Sequence, residues 1–255
     1  MKPLDYEEQY KNLINQAELI INTWESKWTN FISPQVAEKA LPILGTYQDL
    51  YVFTDGGYPR AELKRFYFQR SFENIDQLHQ ISSPLLGIKI EGNFLFDKAS
   101  INDFITKIIA EGILIEELGD IWLTGDRGAE LVCTPEVANR LDQHTTYIRD
   151  IKIRFKISEL KDLRFPQRAY PKKISTTEAS TRLDAIASAG FGLSIAKVNK
   201  KIKDGKVKKN WEPMIQPSHQ IKEGDSIQLE NRGILRVLKI SKTKKERWRI
   251  ELIRE

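Results

Sequence analysis

The sequence predicts an α+β protein in three parts. An N-terminal α+β domain covers residues 1–80, a ferredoxin-like β-α-β-β-α-β plait covers 81–165, and a small basic domain covers 180–255 beyond a linker at 166–179. Three observations predict this layout. Between residues 84 and 160, strand-type and helix-type periodicities follow one another in the order of the plait. Arg182 to Trp211 reads as two short helices feeding a strand. Charge is uneven as well: from Pro171 to Glu255 there are 20 lysines and arginines against 10 carboxylates, a balance of +10, while the first 170 residues hold 20 against 25. Such asymmetry inside a chain of net charge +5 points to a tail domain that binds a polyanion.

Length and composition bound the rest. The 255 residues suffice for two or three domains, and the apolar and charged fractions, 40% and 29%, are those of an ordinary soluble protein. No run of about 18 apolar residues is present, so no membrane span is expected. The N-terminus, MKPLDYEEQYKN, is acidic and lacks an apolar signal core; the expected location is the cytoplasm, or a plastid where a transit peptide lies outside this chain. The single cysteine, Cys133 in ELVCTP, excludes an internal disulfide framework and a thiolate zinc cluster and reads as a small buried strand residue.

In order along the chain, residues 4–31 read as one long amphipathic helix, with Leu13, Ile14, Ala17, Ile20, Ile21, Trp24 and Trp28 spaced by three or four. Ser33-Pro34 opens a second helix that runs to about Leu44. Leu50 to Phe53 is a short strand, Thr54 to Pro59 a turn-rich loop, and Arg60 to Phe68 a strand or a helix. Gly56 and Gly57 allow close backbone approach beside Arg60, Lys64 and Arg65, which makes this loop a candidate phosphate cradle or a glycine hairpin with solvated cations. In the plait, Leu85 to Ile90 is the first strand. Ser100, with Asp103 three residues on, opens a helix that ends at Gly112. Asp120 to Leu123 and Ala129 to Val132 are strands joined at Gly125 to Gly128, Pro135 starts the second helix, and Ile151 to Ile157 alternates as the last strand. Its Lys152, Arg154 and Lys156 form a basic row, read as a solvated edge strand or an extension of a nucleic-acid surface.

In the tail, Arg182 to about Ala189 is an apolar helix that meets a turn at Gly190 to Gly192. Ser194 caps the next helix, on which Ile195, Val198 and Ile202 can face a core. Lys197, Lys200, Lys201 and Lys203 fall largely elsewhere on that helix, Gly205 suits its left-handed stop, and Lys206, Lys208 and Asn210 follow on a strand. Asp204 is the one carboxylate within this stretch of lysines, a composition suited to phosphate oxygens.

The order R-L-D, S-x-x-K, I-x-x-G-x-V-x-x-N, followed by Glu223-Gly224-Asp225-Ser226-Ile227, resembles the RNA-binding domain of small-subunit ribosomal protein "S-four", the alpha-L motif. The resemblance implies RNA contact through Arg182, Ser194, Lys197, Lys201, Lys206, Lys208 and Asn210, and Lys200 on the same helix is a further candidate by its charge. The chain departs from that family at Ile195, where an arginine is usual, and at Lys209, where valine is common. The segment G-G-Y-P-x-A-E-x-K-R at 56–65 resembles the N-terminal domain of the YlmH family, and Gly112 with Leu118 to Ile121 resembles its middle domain, apart from Ile115 in place of a basic residue. In cyanobacteria and plants similar proteins carry the label "photosystem II S-four domain protein". The resemblance implies a binder of ribosomal RNA or tRNA, with some bacterial members acting on stalled large ribosomal subunits.

Catalytic constellations are not evident. His79, His144 and His219 lie in separate segments, and the motifs G-x-G-x-x-G, G-x-S-x-G, H-E-x-x-H and the P-loop are missing. Arg182-Leu183-Asp184 echoes the catalytic motif of pseudouridine synthases but sits on the first helix of the binding domain, where Asp184 suits a helix N-terminus. The expectation is a monomeric, non-catalytic, structured-RNA-binding protein without cofactor or metal, its partner the large ribosomal subunit. An RNA-modifying enzyme and an interaction protein of photosystem II assembly are the alternatives.

Overall fold

The computed structural model describes residues 6–70, 83–166, 171–229 and 232–255. Helices and three antiparallel sheets make it an α+β protein. It divides into two compact units, Met1–Pro166 and Gln167–Glu255.

The first unit opens with α1 (Tyr6–Thr23), β1 (Lys27–Ile32), α2 (Pro34–Leu44), β2 (Leu50–Asp55) and β3 (Lys64–Arg70). The strands form a sheet of order β1-β3-β2. Leu13, Ala17 and Ile20 of α1 and Val36, Ala40 and Leu44 of α2 pack on Phe66 and Phe68 of β3. Ser33 caps α2 through Val36 N–H, and Pro34 takes the first helical position. The helix expected to run to residue 31 stops at Thr23, and its residues 4 and 5 lie outside the described ones. Trp24 takes a left-handed φ of 63° that ends the helix, and the run K-W-T-N-F-I, rich in β-formers, becomes β1 instead. Trp24 lies 56% exposed under the guanidinium of Arg70, 3.7 Å away, while Trp28 packs on Phe53 and Tyr67 across the sheet.

The plait follows as β4 (Leu86–Glu91), α3 (Ile101–Ala110), β5 (Leu118–Leu123), β6 (Gly128–Cys133), α4 (Pro135–Leu141), β7 (Thr145–Ile148) and β8 (Ile151–Ser158). Its sheet has the order β5-β6-β4-β8-β7, so the first strand lies between the third and the last, as in a ferredoxin-like plait. Ser100 and Asp103 form the expected capping box on α3; hydrogen bonds from the Ser100 backbone and hydroxyl hold the Asp103 carboxyl below its usual pKa. Strand β7 was not expected. It pairs with β8 through a two-residue turn in which Arg149 has φ 53°, and so places β8 in the sheet interior rather than at its edge. Ile88, Ile90, Phe104, Ile108, Leu131 and Phe155 fill the core between sheet and helices. Cys133 is fully buried there, and burial pushes its thiol pKa far up, as expected of an inert core cysteine.

The loop at 54–63 joins the two halves of this unit. The Asp120 carboxylate, on β5, accepts from the Tyr58 hydroxyl at 2.5 Å and from the Glu62 and Leu63 amides at 2.8 and 3.0 Å. Tyr58 also stacks on Phe165 and leans on Trp122. The two glycines serve this joint. A Cβ on Gly56 would lie 2.4 Å from the Ala61 Cβ, and Gly57, at φ +85°, donates its amide to Asp55.

The second unit begins within the expected linker. Lys172–Glu178 is a strand, β9, paired along all seven residues with β14 (Trp248–Arg254). Prolines 166 and 171 read as linker signals, but they flank the strand and leave its ladder intact. Helices α5 (Leu183–Phe191) and α6 (Ile195–Lys203) cover a sheet completed by β10 (Val207–Lys209), β11 (Glu212–Pro213), β12 (Ser226–Leu229) and β13 (Gly233–Lys242), in the order β11-β10-β12-β13-β14-β9. Leu183, Ile186, Phe191, Val198, Ile202, Ile227, Leu235 and Ile250 form its core.

Candidate nucleic-acid interface

The cationic cluster of the second unit is built by α6 and the strand after it. Helix α5 ends at Gly192, left-handed at φ +66°, and the Ser188 hydroxyl holds the turn by donating to Leu193 O at 2.6 Å. Ser194 caps α6, its hydroxyl accepting from Lys197 N–H. Val198 and Ile202 are fully buried, which fixes the rotation of the helix. Ile195, expected with them in the core, is 52% exposed in the first turn of the helix. An apolar side chain thus sits on the surface at a position where the resembled family usually carries an arginine.

Lys197, Lys200 and Lys203 are exposed and Lys201 is half-buried. Gly205, at φ +69°, turns the chain, and the Lys206 amide closes the helix end on Lys201 O at 2.9 Å. Lys206 and Lys208 then line a shallow cleft of about 340 Å³ with Gly205 and Gln228. Lys197, Lys200, Lys201, Lys203 and Lys208 make no ion pair among the described residues, whereas Lys209 is held by Asp225 at 3.3 Å. Five cations within one helix and one strand, without internal partners, can take several phosphate oxygens at once.

Two residues expected to contact RNA also hold the scaffold. Asn210 and Trp211 have φ 48° and 72°, the pair of left-handed residues of a type I′ turn between β10 and β11. The Asn210 amide donates to Asp225 at 2.8 Å, and its oxygen accepts from Ser226 N–H at 2.8 Å. The buried Asp225 also accepts from Lys222 N–H at 2.8 Å, so Asn210 and the Glu223-Gly224-Asp225 turn lock each other. Asn210→Ala should cost about 1–3 kcal/mol by leaving buried polar groups unpaired, read as faster amide exchange in β12 and β13. Arg182 forms a bidentate pair with the buried Asp184 at 3.0 and 2.7 Å; the hydrogen bonds, and then the charge of Asp184, raise its pKa. Its side chain stays 44% exposed, oriented at the start of α5 with guanidinium donors left for a ligand.

The glycine-loop candidates belong to the first unit and do not form a cradle. Gly56 and Gly57 are consumed by the joint described above. Arg65 is buried, donating to Thr29 O at 2.6 Å, and desolvation lowers its pKa. Lys64 is half-buried and Arg60 exposed, the latter at φ 68°. The first unit also has a concavity of about 490 Å³ beside β1, lined by the amides of Gln9, Asn12, Gln16 and Asn30 and by Trp28. No histidine, cysteine or serine lines it.

Comparison with known proteins agrees with the sequence pattern. Residues 5–71 match the family described as "YlmH, N-terminal". Over 239 residues the chain is 25% identical to the "Ribosome-associated protein quality control protein P2" of Bacillus subtilis (strain 168), spanning 93% of this chain and 90% of that protein. Among solved structures, "Cell division protein ylmH from Streptococcus pneumoniae" aligns with 64% of this chain and 96% of that one, at 16% identity and a TM-score of 0.48. Residues 5–71 thus resemble the YlmH N-terminal domain, and the chain along most of its length is similar to the ribosome-associated protein of Bacillus subtilis.

Proposed function

We propose that this chain is a non-catalytic binder of structured RNA that works on the large ribosomal subunit, as a monomer and without cofactor. The observation that carries the reading is the set of five lysines on α6 and β10 that make no ion pair among the described residues while their scaffold is locked by Asn210, Asp225 and Ser194. A surface lysine row on a soluble domain is ordinarily dispersed among carboxylates; this one is not. The similarity to a relative named for ribosome-associated protein quality control supports the ribosome as the setting, and the resemblance of the tail to the alpha-L motif suggests ribosomal RNA or tRNA as the ligand.

The test is sedimentation of the full chain with purified large subunits. It should co-sediment at about 100 mM salt and leave the subunit steeply as salt rises, because counterion release sets the affinity. Absence of co-sedimentation, or binding that is indifferent to salt, overturns the proposal.

A further inference from the structure

The outward face of the plait sheet is divided into two halves. On the β5-β6 side it is built shut. Trp122 lies under Tyr58 and Phe165, Glu130 accepts from Arg164 N–H at 2.7 Å, and Leu163 covers Gly87, where a Cβ would lie only 2.7 Å from its side chain. On the β4-β8-β7 side the same face carries Lys89, Lys152, Arg154, Lys156 and Tyr147. Lys152, Arg154 and Lys156 are exposed and Tyr147 is 56% exposed.

The register makes this half unusual. Lys89 stands directly opposite Lys156 on β8 and opposite Glu130 on β6, and Tyr147 stands opposite Lys152. Like charges face to face on neighbouring strands are destabilising, and neither lysine makes an ion pair among the described residues. Glu91, opposite Arg154, is the one carboxylate among the described outward residues of the three strands. Arg154 is steadied by the Gln143 side chain rather than by an acid. Because β8 is interior, its lysines are not there to blunt an exposed edge, which removes the ordinary reason for a charged strand. Outward residues on one strand recur every ~6.8 Å, comparable to the step between phosphates of an extended nucleic-acid strand.

We propose that the open half of this face binds an unpaired RNA strand, its phosphates taken by Lys89, Lys152, Arg154 and Lys156 and one base stacked on Tyr147. The proposal rests on the reading of the chain as an RNA binder and adds a second contact, in the first unit, with a different preference. A flat face about three strands wide, with cations in rows and a single exposed ring, fits a sequence-tolerant single strand.

The test uses the full chain and two probes, an oligouridylate of about a dozen nucleotides and a mixed tRNA fraction. The variant carrying K89Q, R154Q and K156Q should bind oligouridylate more than tenfold less tightly, with a salt slope flatter by about two units. It should keep the parent's fold, read by circular dichroism, since none of the three side chains is buried. Y147A should lose roughly tenfold on oligouridylate and Y147F should keep most of the affinity. An unchanged affinity and slope for oligouridylate in the triple variant overturns the inference. Weakened tRNA binding with oligouridylate unaffected overturns the choice of an unpaired strand. If the tRNA fraction still responds to lysine removal on α6 while the plait variants change nothing, this inference falls and the proposed function stands. If the parent chain binds neither probe at low salt, both fall.

Discussion

Replacing Lys197, Lys201 and Lys206 together with alanine is expected to lower the affinity for structured RNA roughly hundredfold at about 100 mM salt and to flatten the salt slope by two to three units. Each phosphate contact releases condensed counterions and contributes about 0.9 to the slope, so three lost contacts account for both figures. The fold should survive. Lys197 and Lys206 are exposed, Lys201 is half-buried, and alanine is the better helix former. The bond that closes α6 runs between the backbones of Lys206 and Lys201 and outlasts the substitution. Titration of the variant against large-subunit RNA at several salt concentrations, with circular dichroism as the control, measures the effect. A slope equal to that of the parent places the phosphate contacts away from α6.

The second large effect is expected on stability. Asp120→Ala should destabilise the first unit by about 3–5 kcal/mol, because three donors that converge on one buried carboxylate lose their acceptor together. Hydrogen bonds to a charged acceptor contribute about 1.5–3 kcal/mol each, and the stranded amides of Glu62 and Leu63 add a desolvation cost. Tyr58→Phe removes one donor and keeps the ring on Phe165, so its cost should be about 1–2 kcal/mol. Urea denaturation of the two variants, followed through hydrogen exchange of β5 and β6, separates them. Equal midpoints for parent and Asp120→Ala mean that the loop at 54–63 is held by its apolar contacts alone.

Elements with strong local signals were legible in the sequence. Ser100 with Asp103, Ser33 with Pro34, and the alternation of Ile151 to Ile157 each specify their element by contacts within a few residues, and the structure places them as expected. The misreadings share a cause. Trp24 and Trp28 keep a helical spacing, yet one left-handed residue between helix and sheet gives them separate roles. Strands β7 and β9 are short or polar, and only their pairing with β8 and β14 stabilises them. In the candidate interface the lysines were legible because composition alone reveals them. The duties of Asn210 and Arg65 were not, because Asp225, Ser226 and Thr29 reach them through space. The opposition of Lys89 and Lys156 is likewise a fact of register, invisible until two segments more than sixty residues apart are paired.

The place of β9 sets where the carboxy-terminal part can be cut from the chain. A fragment started at Ser180 would strip β14 of its neighbour and uncover a seven-residue row of peptide groups next to Ile250 and Leu252. Such a raw margin invites copies of the fragment to zip together. Excision ahead of Lys172 keeps that margin sealed.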